Sequence, residues 1–195
     1  LVLSSDPVRF NDTYGFPPDH VFTLSLDDNG ERVALLDDQT AVVDEVIYDD
    51  DGQWPVTPDG LGPSLELIDP DQDNMTPRNW HASVAPAGHT AGQVNSVDAA
   101  GLPPWISTVQ HTPDVAPGAP LDVSITTVDV ASAELFYVLG AARPEVEIGP
   151  LAMSDGGGGL FTVQIPGQAV ETLIRYRISA TGATGQMQYP RDDDS

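Results

Sequence analysis

Cysteine and lysine are both missing from this 195-residue chain. Without cysteine there can be no disulfide and no thiolate metal site, and cysteine usage gives no reading of redox compartment. Without lysine the only fixed cations are seven arginines, set against 30 acidic residues for a net charge of −23. Such a field repels phosphate backbones and anionic lipid, so nucleic acid and membrane surfaces are excluded as favoured partners. It suits cations or a salty exterior. No run approaches the roughly 20 apolar residues that span a bilayer, so no helical membrane insertion is expected. No secretory leader is visible either. The chain opens on "LVLSS", which reads as a strand, and ends on "PRDDDS"; it is expected to be an internal piece of a longer multidomain protein, so a missing leader says nothing about export.

What is present is turn chemistry and short strand patterns. The apolar fraction of 40% is enough for packed cores, and Gly and Pro, 18 of each, punctuate the chain evenly. Between them lie runs such as "HVFTLSL", "ERVALL", "AVVDEVIY", "WISTVQH", "LDVSITTV" and "GLFTVQI", each of strand length and bounded by turn residues. "ERVALLDDQTAVVDEVIY" reads as a hairpin around "DDQT". One face of the second of these strands is not cleanly polar, so it is expected to be covered on both sides or to sit near an edge. One helical turn is expected within residues 6–16, with Asp6 as N-cap and Pro7 at the first helical position. The fold class is therefore all-β, and short strands at this spacing imply a sandwich or barrel.

The stretch "APAGHTAGQVNSVDAAGLPP", residues 85–104, is rich in small residues and has no periodicity. It suggests a first domain over 1–90, a linker over 91–104, a second domain over 105–190 and an acidic tail over 191–195. Seven strands are expected in the second domain: 105–111, 121–128, 133–139, 145–148, 159–165, 171–180 and 185–189. That number in about 90 residues suits an immunoglobulin-like sandwich. "SDGGGG", 154–159, reads as a flexible hairpin tip; with no Lys and no helix start after it, it is not a phosphate loop.

In the first half, "NGERVALLD", "VVDEVIYDD", "WP", "DGLGPSLELIDP" and "NW.AS" occur in that order. This series resembles the later two-thirds of a bacterial lamin-tail domain, without the family's opening strands. "PPWISTVQHTPDVAPGAPLDVSITTVDVASAELFYVL", "GLFTVQIPGQ" and "IRYRISATGATGQ" resemble the immunoglobulin or fibronectin type III-like modules that follow such domains in secreted bacterial proteins. In many relatives that pair precedes a kinase-like domain of the spore-coat protein H type; none of its catalytic positions lies in this chain. The resemblance implies two tandem sandwiches, the first incomplete, in an extracellular or cell-surface, non-catalytic setting.

Each chemistry-bearing residue also has a bland structural reading. Asp69, Asp71 and Asp73 in "DPDQDN" match the start of a calcium loop, but Asn74 stands where such a loop needs Gly and Trp80 where it needs a bidentate Glu. Asp and Asn also cap turns through their own backbone, which is the favoured reading, and the resemblance makes this segment the family's turn toward "NW". Asp49, Asp50 and Asp51 would be the second source of oxygens. Trp54, Trp80 and Trp105 suit core plugs better than sugar platforms. His81 and His89 lack a third metal ligand, and His20 and His111 border strands. Arg175 and Arg177 alternate with Ile174, Tyr176 and Ile178 and are expected to pair with acidic neighbours. Asn11 and Asn74 head sequon matches, which are common by chance. No nucleophile motif is present. The expectation is a spacer, adhesion or targeting unit with a protein or glycan partner; the rivals are a Ca²⁺-dependent or carbohydrate-binding module, and the accessory front end of a kinase-like chain. Ca²⁺ is the one cofactor these residues suggest.

Overall fold

The computed structural model describes residues 2–23, 25–140 and 146–191. The chain is all-β and divides into two compact units, residues 1–100 and 101–195.

Unit 1 is built from pairs of strands. β1 (Leu3–Ser4) lies parallel to β2 (His20–Val21). Between them runs α1 (Pro7–Tyr14), whose ends follow from local chemistry: the Asp6 carboxylate accepts the Arg9 N–H at 2.9 Å, Pro7 opens the first turn, and Gly15 closes the last at φ 78°. β3 (Arg32–Leu36) and β4 (Val42–Ile47) form the hairpin expected around residues 37–40, where Asp37 Oδ1 accepts the Gln39 and Ala41 N–H groups. Gly30 leads into β3 where only glycine fits, because a Cβ would meet the Tyr48 carbonyl oxygen at 2.5 Å. β5 (Leu65–Leu67) pairs with β6 (Trp80–Ala82).

No pair in unit 1 extends beyond two strands among the described residues. β4 is an edge strand, as one expectation allowed, but it is not covered on both sides: Val42, Val43 and Ile47 are exposed. Among the described residues of "HVFTLSL", His20–Val21 is the strand. The buried apolar side chains described in unit 1 are Trp54, Ile68 and Ala82, with Pro55 beside them; Glu66, Asp69 and Asn79 are buried with them.

The segment expected as a linker, 91–104, is tied down. Asn95 Nδ2 donates to the Leu67 carbonyl at 2.9 Å, and Ala99 N–H donates to Ile68 at 3.1 Å. At the other end the Leu102 carbonyl accepts from Thr184 Oγ1 at 2.8 Å, and Pro104 is fully buried. Composition suggested free chain because the segment has no apolar period, yet hydrogen bonds to neighbouring backbone hold it without one.

Unit 2 is a sandwich of two four-stranded sheets. One has the order β11-β12-β8-β7, the other β10-β9-β13-β14, where β7 is Trp105–His111, β8 Leu121–Val128, β9 Ser132–Leu139, β10 Ile148–Ala152, β11 Ser154–Gly157, β12 Leu160–Ile165, β13 Ile174–Gly182 and β14 Gly185–Tyr189. This is the immunoglobulin arrangement, with an added strand beside the third. Period-2 alternation turns Val123, Ile125, Leu135, Tyr137, Phe161, Ile165, Ile178 and Ala180 into one core. Burying each large aliphatic there stabilises by about 1.5–3 kcal/mol.

Three expectations shift, the first being the strand expected over 171–180, which spans Ile174–Gly182. The fourth strand lies at Ile148–Ala152 rather than 145–148, and Glu145 is outside the described residues, as are 192–195 of the expected tail. The glycine run is not merely a tip: Ser154–Gly157 pairs with β12, with the reversal at Gly158 and Gly159.

The two units should therefore differ in resistance to local opening. Native-state hydrogen exchange should find amides of β8, β9 and β13 slower than those of β3 and β4 by about a hundredfold or more. Equal protection in β3 and β13 would show that the hairpin holds some stabilising contact other than its own ladder.

Candidate functional site

The chemistry of unit 1 concentrates in two places, a polar core and an acidic cavity. The polar core starts from Glu66, a carboxylate on β5 that is 3% exposed. Oε2 accepts both the backbone N–H and the hydroxyl of Ser96 at 2.7 Å, and Oε1 accepts Thr90 Oγ1 at 2.6 Å and Ser64 Oγ at 3.4 Å. Burial pushes its pKa up, but hydrogen bonds from Thr90, Ser96 and Ser83 outweigh burial and bring it down to about 2. Glu66 is thus ionised and saturated, and it fastens residues 83–96 to β5.

Asn79 is the second centre. It is fully buried, and its side chain closes the 69–79 loop: Oδ1 accepts the Asp69 N–H at 2.8 Å, while Nδ2 donates to the Asp69 carbonyl at 2.9 Å and to that of Asp73 at 3.2 Å. Trp80 Nε1 adds a bond to the Asn74 carbonyl at 2.8 Å. This loop carries the three aspartates of the proposed calcium sequence. Asp69 Oδ1 accepts the Asp71 N–H and Asp73 Oδ1 accepts the Met75 N–H, both at 2.9 Å, so these two carboxylates cap turns of their own loop. Asp71 is exposed. Among the described residues the one trio of metal-ligating groups with atoms within 4.8 Å of one another is Asp49, Asp50 and Asp51, not Asp69, Asp71 and Asp73.

Asp49 and Asp50 of that trio line the acidic cavity, which has a volume of about 330 Å³. Asp27, Asp28, Asp49, Asp50 and Asp59 supply its polar lining, and Leu26, Tyr48, Pro55 and Pro58 its apolar wall. The turn after residue 26, the end of β4 and the loop before β5 bring these groups together. Tyr48 Oη fixes the first two by donating to the Asp27 carbonyl at 2.7 Å; burial raises the Tyr48 pKa, and the Glu31 carboxylate raises it further. Hydrogen bonds from Asn29, backbone first and then side chain, lower the Asp27 pKa. Asp50 is raised, by desolvation first and then by Asp49 and Asp51. Chemically the cavity suits a cation.

The remaining candidates have separate places. Trp54 and Trp105 are buried at 7% exposure, and Trp54 packs on Trp80 with ring centroids 6.0 Å apart. The His81 Nδ1–H donates to the Ala82 carbonyl at 2.7 Å, whereas the His89 ring stands edge-on to Tyr14 at 4.7 Å. Through that contact and the Phe10–Tyr14 and Phe10–Phe16 pairs, an aromatic cluster holds α1. His20 is exposed on β2, and His111 Nδ1 lies 3.1 Å from Tyr176 Oη. Arg177 makes a two-pronged bond to Glu147 at 2.7 and 2.8 Å and covers the Phe136 ring; Arg175 is on the same strand. Of the sequon residues, Asn74 bonds Asp44 and Asn11 lies in α1. Sequence reasoning missed Glu66 and Asn79. The available signal was an acid and an amide flanking the Asp-rich turn, with Ser and Thr concentrated at 83, 90 and 96.

Because the folded pKa of Glu66 is depressed, its contribution is complete above its ordinary value of 4.5 and is lost as pH falls through about 2. Glu66→Gln should cost about 1–3 kcal/mol near neutrality, since the amide turns donors toward donors. It should also make the fall in stability between those two pH values shallower, by the share that belongs to Glu66. Urea melts of both proteins across that range measure this; identical acid limbs would mean Glu66 is not the group that titrates.

No protein-family model matches this chain, and no curated protein is significantly similar to it.

Proposed function

We propose that the chain is a non-catalytic pair of structural and interaction modules, a spacer or adhesion and targeting unit of a secreted or cell-surface bacterial protein. The observation that carries this reading is unit 2, an immunoglobulin-type sandwich whose core is a continuous, predominantly apolar cluster of side chains from both sheets. Such a body serves as a rigid spacer. The buried carboxylate of unit 1 has a structural occupation as well, both oxygens being filled by Ser and Thr donors. The segments that resemble a lamin-tail domain fall on the β3–β4 hairpin and the β5–β6 pair. An antibody raised against the chain should label intact, unpermeabilised cells of the source organism, or its culture medium. Labelling confined to permeabilised cells would remove the surface role.

The acidic cavity favours a second reading, a Ca²⁺-dependent binding module. Asp49, Asp50 and Asp51 have converging oxygens, and Asp49 and Asp50 share the lining of one cavity with Asp27, Asp28 and Asp59. On this reading Ca²⁺ should titrate with about one equivalent, Asp50→Asn should abolish the heat, and Asp71→Asn should not. Heat that depends on Asp71 would return the site to the 69–73 loop. No heat and no shift in Tm would leave both acidic segments as solvated turns.

A further inference from the structure

We infer that the outer edge of β3 is a docking site for an extended, cationic segment of a partner protein, which joins the β3–β4 ribbon as a third strand. The inference rests on the interaction-module reading and names the surface and the partner chemistry it lacks.

The ladder identifies the open edge. Tyr48 N–H donates to the Glu31 carbonyl at 3.2 Å, and the register continues Arg32↔Ile47, Val33↔Val46, Ala34↔Glu45. Opposed residues of an antiparallel pair alternate between bonded and non-bonded. Backbone groups of Glu31, Val33 and Leu35 therefore face β4, and those of Arg32 and Ala34 face away from it. On β4 the outward amide of Glu45 is occupied by the Asp44 carboxylate at 2.8 Å. The ribbon has no third strand among the described residues.

Side chains reinforce the backbone. Val33, Leu35, Leu36, Val42 and Ile47 are between 40% and 51% exposed, so apolar surface faces solvent on both sides of the ribbon. Three of the four edge strands of unit 2 are different. β10 carries Pro150 and a register shift, β11 is a glycine-bearing strand with a shift, and β7 is bulged after Ile106. Those devices obstruct strand addition; residues 31–48 contain no Pro and no Gly, and the register shift at Val43 falls on β4, not β3.

Charge selects the partner. Residues 1–100 hold nineteen of the 30 acidic residues and three of the seven arginines. Around the ribbon stand Asp37, Asp38, Asp44 and the Asp49–Asp51 run, while its one cation, Arg32, is paired with Glu45. A second copy of the chain would bring like charge to the edge, and a nucleic acid would be repelled. A strand alternating Lys or Arg with β-branched residues matches both the apolar and the acidic elements.

The test uses the full chain and a short dye-labelled peptide alternating lysine and valine, followed by fluorescence anisotropy. The peptide should bind, and binding should weaken by about tenfold or more between about 0.05 M and 0.5 M NaCl. A version with glutamate for lysine should not bind, nor should one with N-methylated backbone amides. Ala34→Pro removes an outward amide and no ladder bond, and should weaken binding by about tenfold or more. The exposed pair Leu35→Thr with Leu36→Thr should do the same, and decides alone if Ala34→Pro unfolds. Three results would overturn the edge: no peptide binding, equal binding of the N-methylated peptide, or wild-type affinity in the threonine variant. In the last case the peptide sits elsewhere and the interaction reading survives. That reading fails separately, through absence of label on intact cells.

Discussion

A carboxylate removed from water must be met by donors, and in unit 1 that requirement organises the fold. Glu66 lies on a short strand with little apolar cover, and its two oxygens draw in Ser64, Thr90 and Ser96. The stretch from Ser83 to Ala99 has no periodic apolar face, yet it becomes part of the unit because it brings those donors and then continues to the carbonyls of Leu67 and Ile68. Asn79 repeats the logic with an amide, which both donates and accepts and so closes the 69–79 loop from inside. Unsatisfied, either group would cost more than it contributes when paired.

Unit 2 meets the same entropy of folding by the opposite means. Its interior is built from Ile, Leu, Val, Phe and Ala across two sheets, and its ionised groups stay outside, as Arg177 does with Glu147. The chain thus joins a hydrophobically closed body to one closed by hydrogen bonds. The second solution leaves apolar residues with nowhere to go. The exposed valines and leucines of β3 and β4 have no second layer over them in unit 1.

Strand positions in unit 2 were legible because period-2 alternation and turn residues act locally. Trp105–His111, Leu121–Val128 and Gly185–Tyr189 fall where the pattern placed them. The helix was legible for the same reason, since Asp6, Pro7 and Gly15 carry its ends within one short stretch. The glycine run at 156–159 reads as a loop in sequence but is partly strand, because a flat β-extension needs no side-chain pattern when a neighbouring strand supplies the register. The aspartates at 69, 71 and 73 were legible as a motif but not as an outcome. Two of them turn back to their own backbone, and the converging oxygens belong to 49–51.

The sequence by itself determined the all-β class, the hairpin at residues 37–40 and the strongly negative field, because propensity, turn chemistry and charge count need no knowledge of neighbours. Tertiary structure alone decided what each buried acid does. Glu66 and Asp69 lie three residues apart in an acidic chain, and nothing local marks one as the ionised centre of a core and the other as a turn cap. That difference comes from donors 24 and 30 residues away, at Thr90 and Ser96, and only folding brings them within hydrogen-bonding distance.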